Sequence, residues 1–265
     1  MRSFGDRFEE KPLSGNVSAV ARVGDTVRRS TGPWTPAVHA LLRHLEHAGF
    51  DGAPRVLGID EREREVLTYV PGEVAHRARP KIVTARALVE VGRLLRRFHD
   101  AVLNFELPSG IRWHHKPIPG PQTLVCHNDL APRNTVFRDG RPVAFLDWDY
   151  AHPAPPLWDV VHAAWQFVPL TDEAGCARHG WPSPPDRFRR LRTFCDAYGL
   201  TEKDRLGFVK FAVRRMETTA CGIEALAAAR KLAFERLVAA GISMMIRMEQ
   251  AWIERHAEEL DAAVG

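Results

Sequence analysis

The hydrophobic pattern of the chain changes at Pro71-Gly72, and this change limits the possible folds more than any other feature of the sequence. Before it, apolar and polar residues alternate over 17–23, a Gly-Asp turn follows, and a second short run covers 26–29. This pattern predicts a β-hairpin. The runs 55–59 and 65–70, on either side of a charged turn, predict a second hairpin. We therefore expect a small antiparallel sheet in the first seventy residues.

One helix is expected between these two hairpins, over 35–48. Pro36 suits the first helical position, Thr35 is expected to cap the helix, and Gly49 is expected to end it. The apolar residues of this segment recur at helical spacing, as Val38, Leu41, Leu42 and Leu45. The helix should therefore pack one apolar face against the sheet or against the rest of the chain.

After Pro71-Gly72 the pattern is mainly helical. Residues 85–101 carry Leu, Val and Phe along one face of an amphipathic helix, and 124–146 reads as short strands separated by turns. Further helices are predicted over 158–167, 185–198, 202–230 and 231–260. We expect an α+β chain with a β-rich N-terminal lobe, residues 1–72, and a larger helical lobe, residues 73–265.

The composition excludes several classes of protein. With 45% hydrophobic and 26% charged residues, the chain has the composition of a globular protein. Its 37 basic and 33 acidic residues give a net charge of only +4, so we expect no nucleic-acid partner. We find no run of about 20 apolar residues and no apolar segment near the N-terminus, so we expect no membrane association and a cytoplasmic location.

Three side chains that carry oxygen atoms account for the expected chemistry. Asp129 and Asn134 lie five residues apart in a predicted loop, and Asp147 ends an apolar run beyond a turn. A strand–turn–strand between Asn134 and Asp147 would bring both to one edge of a hairpin, where amide and carboxylate oxygens suit Mg²⁺. Asp129 would remain free to accept a proton from a hydroxyl group. This set meets the requirements of phosphoryl transfer.

The motifs H-N-D-L-A-P-R-N, L-D-W-D-Y-A and P-L-W-D-V follow one another within residues 126–165. In this order and spacing they resemble the aminoglycoside phosphotransferase and choline kinase group of small-molecule kinases. The resemblance extends over about residues 13 to 170. It implies a bilobal protein-kinase-like fold, with a nucleotide-binding N-terminal lobe, Mg²⁺ as cofactor and ATP or GTP as the phosphate donor.

The resemblance also implies a role for individual residues. Asp129 resembles the catalytic base, and His127 resembles the residue that braces the catalytic loop. Asn134 and Asp147 resemble the Mg²⁺ ligands, with Asp149 as a second acidic residue near the metal. A further aspartate, Asp159, is expected to brace the loop or to cap a helix.

The nucleotide would lie against two segments of the N-terminal lobe. A turn that would contact the phosphates contains Ser14, Asn16 and Ser18. The segment before Pro71 resembles the hinge between the lobes, and its backbone would bond the purine through Thr68, Tyr69 and Val70.

One feature departs from the family pattern. A kinase normally places a Lys on its third strand and pairs it with a Glu on the following helix. Here the strand offers Arg28, which we take as the phosphate-binding cation, and Arg29, which is the second choice. The helix has Val38 and His39 where the Glu would fall, so another acid would have to hold the arginine, or the metal would carry more of the phosphate binding.

The function implied is transfer of the γ-phosphate to a hydroxyl of a small acceptor. The acceptor stays open between an aminoglycoside, another antibiotic, an amino sugar and an amino alcohol. Two alternatives are a pseudokinase and an immunity or sequestration module that binds a toxin without phosphorylating it. We find no nucleophile elbow of a hydrolase. The spacing of His114, His115, Cys126 and His127 fits no tetrahedral zinc pattern.

Overall fold

The computed structural model of the chain describes residues 10–13, 20–75, 79–116, 118 and 124–265. The predicted phosphate turn, with Ser14, Asn16 and Ser18, lies outside these described residues. Across the described residues, every helix is too short or too polar to span a lipid bilayer.

The small lobe is a five-stranded antiparallel sheet with the strand order β1-β2-β3-β5-β4. The strands are β1 (Glu10–Leu13), β2 (Val20–Val23), β3 (Thr26–Ser30), β4 (Val56–Ile59) and β5 (Arg64–Thr68). Both predicted hairpins are confirmed, since β2 pairs with β3 and β4 pairs with β5. In the turn of the second hairpin, the Asp60 carboxylate accepts the amide hydrogens of Arg62 and Arg64, each at 3.0 Å.

Helix α1 (Thr35–His47) lies between the hairpins in the chain, as predicted. Thr35 does not cap it. Trp34 occupies the capping position, and the Thr35 hydroxyl accepts the amide hydrogen of Gly32 at 2.8 Å. The predicted apolar face is buried, so α1 is held by packing and not by its cap.

The large lobe is mainly helical, which confirms the expected α+β arrangement. Its strands are β6 (Glu73–Val74), β7 (Leu124–Cys126), β8 (Thr135–Arg138), β9 (Arg141–Phe145) and β10 (His152–Ala154). Its helices are α2 (Arg79–Ile82), α3 (Ala85–Ala101), α4 (Pro156–Phe167), α5 (Glu173–Arg178), α6 (Arg187–Tyr198), α7 (Glu202–Arg205), α8 (Phe208–Ala228), α9 (Leu232–Ala239), α10 (Ile242–Arg255) and α11 (Ala257–Val264). Strands β6, β8 and β9 form one sheet, and β7 pairs with β10.

The two long C-terminal helices of the prediction are each divided in the structure. The segment 202–230 breaks after Arg205 into α7 and α8, and 231–260 breaks at Gly241 and His256 into α9, α10 and α11. Gly241 adopts a left-handed backbone (φ 74°), which a helix interior does not allow. Hydrophobic periodicity predicts that a stretch is helical but does not show where separate helices begin and end within it.

Helix α3 lies at the centre of the hydrophobic core. Leu88, Leu95 and Phe98 on its predicted apolar face are fully buried. The Phe98 ring centroid lies 6.0 Å from that of Phe50 in the small lobe and 5.0 Å from that of Trp148 in the large lobe. One continuous apolar core therefore joins the two lobes.

Gly72 lies where the chain passes from the small lobe to the large one, between the end of β5 and the start of β6. Its φ is 148°, and a β-carbon added to it would lie 2.5 Å from the Phe137 carbonyl oxygen and 2.4 Å from the Val136 side chain. Glycine alone permits this backbone together with such a close approach. The proposed lobe boundary at 72/73 coincides with this crossing.

Asp159, in the first turn of α4, holds the loop that follows β7. Its buried carboxylate accepts the amide hydrogens of His127 at 2.6 Å and Asn128 at 2.7 Å, and lies 3.3 Å from His99 Nε2. Burial opposes ionisation, but the hydrogen bond from His99 and the backbone amide of His127 outweigh it and lower the pKa of Asp159. The bracing expectation is confirmed, and the capping alternative is wrong because Pro155 holds the capping position.

Replacing Gly72 with Ala is expected to lower the free energy of unfolding by about 3 kcal/mol, because both the backbone and the β-carbon are strained. Gly58→Ala is the matched control, since Gly58 has a φ of 143° but no atom within 4 Å of the added carbon. The control should cost only about 1 kcal/mol. Urea unfolding measures both, and equal losses would contradict the assignment.

Asp159→Asn is expected to make stability less dependent on pH. The folded pKa of Asp159 is lowered, so its stabilisation is complete above the unfolded value, near pH 4, and is lost as the pH falls towards the folded value. We expect a loss of about 2 kcal/mol at pH 7 that shrinks below pH 4. Denaturant unfolding between pH 3 and 7 measures this difference.

The matched control for that measurement is Asp100→Asn. Asp100 is about half exposed and pairs with Arg96 on the same helix, so this variant should change stability by less than about 1 kcal/mol. A loss for Asp159→Asn that stays constant from pH 7 to pH 3 would show that its charge does not brace the loop.

Candidate active site

The loop after β7 and the β8–β9 hairpin bring together the three side chains expected from the sequence. The Asn134 amide nitrogen donates to Asp129, at 2.7 Å to the carboxylate and 2.9 Å to the carbonyl oxygen. The backbone amide of Leu146, next to Asp147, donates to the Asn134 carbonyl at 2.7 Å. Asp129 and Asn134 are therefore directly hydrogen-bonded, and the backbone bond between Leu146 and Asn134 brings Asp147 to the same end of the hairpin.

His127 links the loop to the end of β9. The ring is fully buried, its Nε2 lies 3.0 Å from the Leu146 carbonyl, and its Nδ1 accepts the amide hydrogen of Asp129 at 3.3 Å. Burial lowers the pKa of His127, so the ring is neutral, and these two contacts assign its proton to Nε2. The imidazole therefore bridges the backbone of Asp129 and the backbone of Leu146, which precedes Asp147.

Asp129 is surrounded by positively charged and imidazole groups. Arg133 Nη2 lies 2.6 Å from its carboxylate, and His162 Nε2 lies 3.7 Å away. Burial opposes ionisation, but Arg133 and then His162 outweigh it and hold the pKa of Asp129 well below its usual value. Asp129 is therefore an ionised hydrogen-bond acceptor at neutral pH.

Asn134 and Asp147 fit a divalent cation. Asn134 uses its amide nitrogen on Asp129, which leaves the amide oxygen as a ligand atom. Asp147 has a left-handed backbone (φ 63°), and its side chain is 47% exposed. An amide oxygen and a solvent-accessible carboxylate are hard oxygen ligands of the kind that Mg²⁺ prefers.

The arginine that reaches the site is Arg29, not Arg28. The expected alternation is observed, and it places Arg28 beside Thr26 and Asp60, with 3.5 Å between Arg28 Nε and the Asp60 carboxylate. Arg29 lies on the opposite face, where Nη1 is 3.4 Å from Asp147 and Nη2 pairs with Asp149. The structure therefore places the second choice, Arg29, beside these aspartates, because alternation separates the two faces of a strand but does not identify the cleft face.

The acid that holds this arginine comes from the sheet. Glu65 lies opposite Arg29 across β3 and β5, with 2.8 Å between Arg29 Nε and Glu65 Oε1. The other Glu65 oxygen lies 2.9 Å from Nε2 of His39 on helix α1. Sequence reasoning missed Glu65, although its cross-strand register with Arg29 could have identified it.

Asp149 is engaged by Arg29. Burial raises the pKa of Asp149 to about 6, against the opposing charge of Arg29. The arginine itself is largely buried, and Asp149, Asp147 and Glu65 outweigh that burial to raise its pKa. Because a cation of the protein already neutralises Asp149, Asn134 and Asp147 remain the ligand pair that we propose for Mg²⁺.

The hinge expectation requires a correction. The Thr68 amide donates to the Arg55 carbonyl, and the Tyr69 amide donates to the Asp25 carbonyl, each at 2.9 Å. These two donors are therefore committed to the small lobe and do not bond a purine. A purine contact is restricted to Val70 and to the carbonyl groups of the segment.

The wall beside Asp129 consists of residues that the sequence analysis did not single out. His162 of α4 and Arg215 of α8 are both buried, and Arg215 donates to the Asn128 carbonyl. Burial, with the charge of Arg215, lowers the pKa of His162 to about 4, so its ring is neutral. No motif marks these residues, because they come from helices far along the chain.

One buried cluster has ligand types that a metal could use. His99, Cys126 and Asp159 bring their ligand atoms within 4.8 Å of one another. Both Asp159 oxygens already accept backbone amides, and the Cys126 thiol faces the carbonyls of residues 154 and 155. These contacts account for the cluster as part of the loop support.

Comparison with known proteins agrees with this geometry. A sequence profile of the phosphotransferase enzyme family matches residues 104–206. The trifolitoxin immunity protein of Rhizobium leguminosarum bv. trifolii is 38% identical over 200 residues, which cover 74% of this chain and 76% of that protein.

Two solved structures show the same fold. A choline/ethanolamine kinase family protein from Mesorhizobium loti matches with a TM-score of 0.56 at 17% identity over 92% of each chain. The GDP complex of aminoglycoside 2'-phosphotransferase-IIIa matches with a TM-score of 0.59 at 14% identity over 94% of each chain. The predicted bilobal, protein-kinase-like α+β fold is confirmed, and the chain belongs to the phosphotransferase enzyme family.

Proposed function

We propose that the protein is a small-molecule kinase that transfers the γ-phosphate of ATP or GTP to a hydroxyl group of a small acceptor. The observation that supports this proposal is the hydrogen bond between Asn134 and Asp129, with Asp147 at the same end of the hairpin and Arg29 beside Asp147. Asp129 would accept a hydrogen bond from the acceptor hydroxyl, Asn134 and Asp147 would ligate the metal, and Arg29 would bind phosphate.

Asp129 orients the acceptor hydroxyl by accepting its hydrogen bond. Its lowered pKa makes it a weak base, which suits a reaction whose transition state is loose and which depends mainly on positioning. Asn134 and Asp147 would hold Mg²⁺, which neutralises phosphate charge when it is bound. Asn134 also fixes the Asp129 carboxylate, so this one side chain would serve both the metal and the acceptor hydroxyl.

The nucleotide would lie between the small lobe and the β8–β9 hairpin. Arg29 supplies the cation for its phosphates and offers two Nη groups in a planar fork. Val70 and the neighbouring hinge carbonyls would contact the base, and the turn with Ser14, Asn16 and Ser18 would cover the phosphates.

The charge beside Asp129 favours a neutral or acidic acceptor over a polycation. Besides burial, the charges of Arg215 and Arg133 both lower the pKa of His162, and Asp129 is the acidic group that raises it. A polyamine would meet the partly exposed Arg133 beside Asp129, with the charge of the buried Arg215 behind it. An aminoglycoside is therefore the least favoured of the acceptors that the family suggests.

The immunity protein among the relatives favours a second candidate function, in which the protein protects against a toxin. The toxin would be either the hydroxyl acceptor or a ligand that is bound and not phosphorylated. The first version needs Asp129 for protection, and the second does not.

Asp129→Asn is expected to reduce phosphate transfer by about 100-fold or more, since it removes the acceptor of the hydroxyl proton. Nucleotide binding should be retained, because Asn134 and Asp147 are unchanged. Production of ADP or GDP over a panel of hydroxyl compounds measures transfer, and calorimetry measures binding. Asp139→Asn, at the exposed tip of the β8–β9 hairpin, is the matched control and should behave like the wild type.

If the wild type binds nucleotide with Mg²⁺ but transfers phosphate to no acceptor, and Asp129→Asn still protects cells from toxin, the binding-only function would replace the kinase. If the variant transfers phosphate as fast as the wild type, Asp129 is not the catalytic residue.

The acceptor preference is tested with homoserine, choline and kanamycin. We expect kcat/KM to be at least about 10-fold higher for homoserine, which carries a carboxylate, than for kanamycin. Arg133→Gln should narrow this ratio, because it removes the exposed cation beside Asp129. Arg141→Gln, a matched change at the exposed start of β9, should leave this ratio unchanged. Kanamycin as the best acceptor would contradict the charge argument.

A further inference from the structure

The carboxylate that contacts Arg29 comes from the neighbouring strand of the sheet. We propose that Glu65 and His39 are the positioning residues of Arg29, so that the carboxylate serving the phosphate-binding cation belongs to the sheet and not to the helix. This inference rests on the proposed function, because it takes Arg29 to contact nucleotide phosphate.

The pair formed by Arg29 and Glu65 is set by strand register. The two residues are direct partners across the antiparallel strands β3 and β5. Their side chains are 11% and 2% exposed, and their charged atoms approach to 2.8 Å, as an ion pair more than as an aligned hydrogen bond. Side chains directly opposite each other on facing strands lie close together, so the strand register keeps this cation and this carboxylate adjacent.

His39 completes the arrangement from helix α1. It stands where the family pattern has a helix carboxylate, and its Nε2 lies 2.9 Å from the second oxygen of Glu65. An ionised carboxylate only accepts hydrogen bonds, so His39 is the donor. Both oxygens of Glu65 have a partner, so the edge of the carboxylate that faces Arg29 Nε is fixed in position.

This edge determines where the rest of Arg29 points. Because Glu65 holds the guanidinium through Nε, the two Nη groups extend towards Asp147 and Asp149. Without the Glu65 charge, those two carboxylates would be the main attraction on the arginine. The arginine would then be drawn onto the metal side and away from the phosphates.

The test is the dissociation constant of Mg·ADP, measured by calorimetry on the full-length protein. We expect Glu65→Gln to raise this constant about 10-fold, since it removes the charge and keeps the shape. A loss of folded protein lowers the fitted stoichiometry and not the affinity, so a merely structural role for Glu65 would leave the dissociation constant unchanged. Glu63→Gln is the matched control, because Glu63 is exposed in the adjoining turn.

Two variants of His39 separate its hydrogen bond from its bulk. His39→Gln keeps a nitrogen donor near Glu65 and should bind Mg·ADP within about twofold of the wild type. His39→Leu removes the donor and should weaken binding by about fivefold. Equal affinities for the two variants would overturn the role of His39.

The measurements also separate this inference from the proposed function. If the wild type does not bind Mg·ADP, the kinase proposal itself fails. If the wild type and Arg29→Gln differ in affinity while Glu65→Gln matches the wild type, Arg29 contacts the nucleotide without help from Glu65. In that case only the positioning inference is overturned.

Discussion

The loop after β7 depends on one buried carboxylate. Asp159 accepts two consecutive backbone amides of this loop, and these bonds fix the loop backbone directly. His127 then transmits this support to the end of β9, and Asn134 ties the far end of the loop to Asp129. The position of Asp129 follows from this support, and the position of Asp147 follows from the bond of His127 to the adjacent Leu146.

The sequence predicted that Asp129, Asn134 and Asp147 would lie together, because a short loop and one hairpin connect them and hairpin geometry determines their meeting. It did not predict that Arg29 rather than Arg28 would lie beside Asp147, because strand alternation has two solutions and the cleft face depends on how β3 packs in the whole sheet. Glu65, His162 and Arg215 reach the site through strand register and helix packing, which no short motif encodes.

The two sides of the site differ in charge. Asp147 and Asp149 make the side towards the small lobe acidic, and Arg29 compensates part of that charge. Arg133 and Arg215 make the side around Asp129 basic. Under the proposed function, this difference would separate the nucleotide side of the site from the acceptor side, and changes on one wall would let a shared family fold serve different acceptors.

The carboxylate that contacts Arg29 Nε belongs to Glu65 of the sheet and not to helix α1. The helix buries Val38, Leu41, Leu42 and Leu45 against the core, and it contributes the His39 ring to the support of Glu65. A displacement of this helix would expose that apolar face and would also separate His39 from Glu65. Because the same core contains Phe98 and Trp148, such a displacement would also disturb the packing that joins the two lobes.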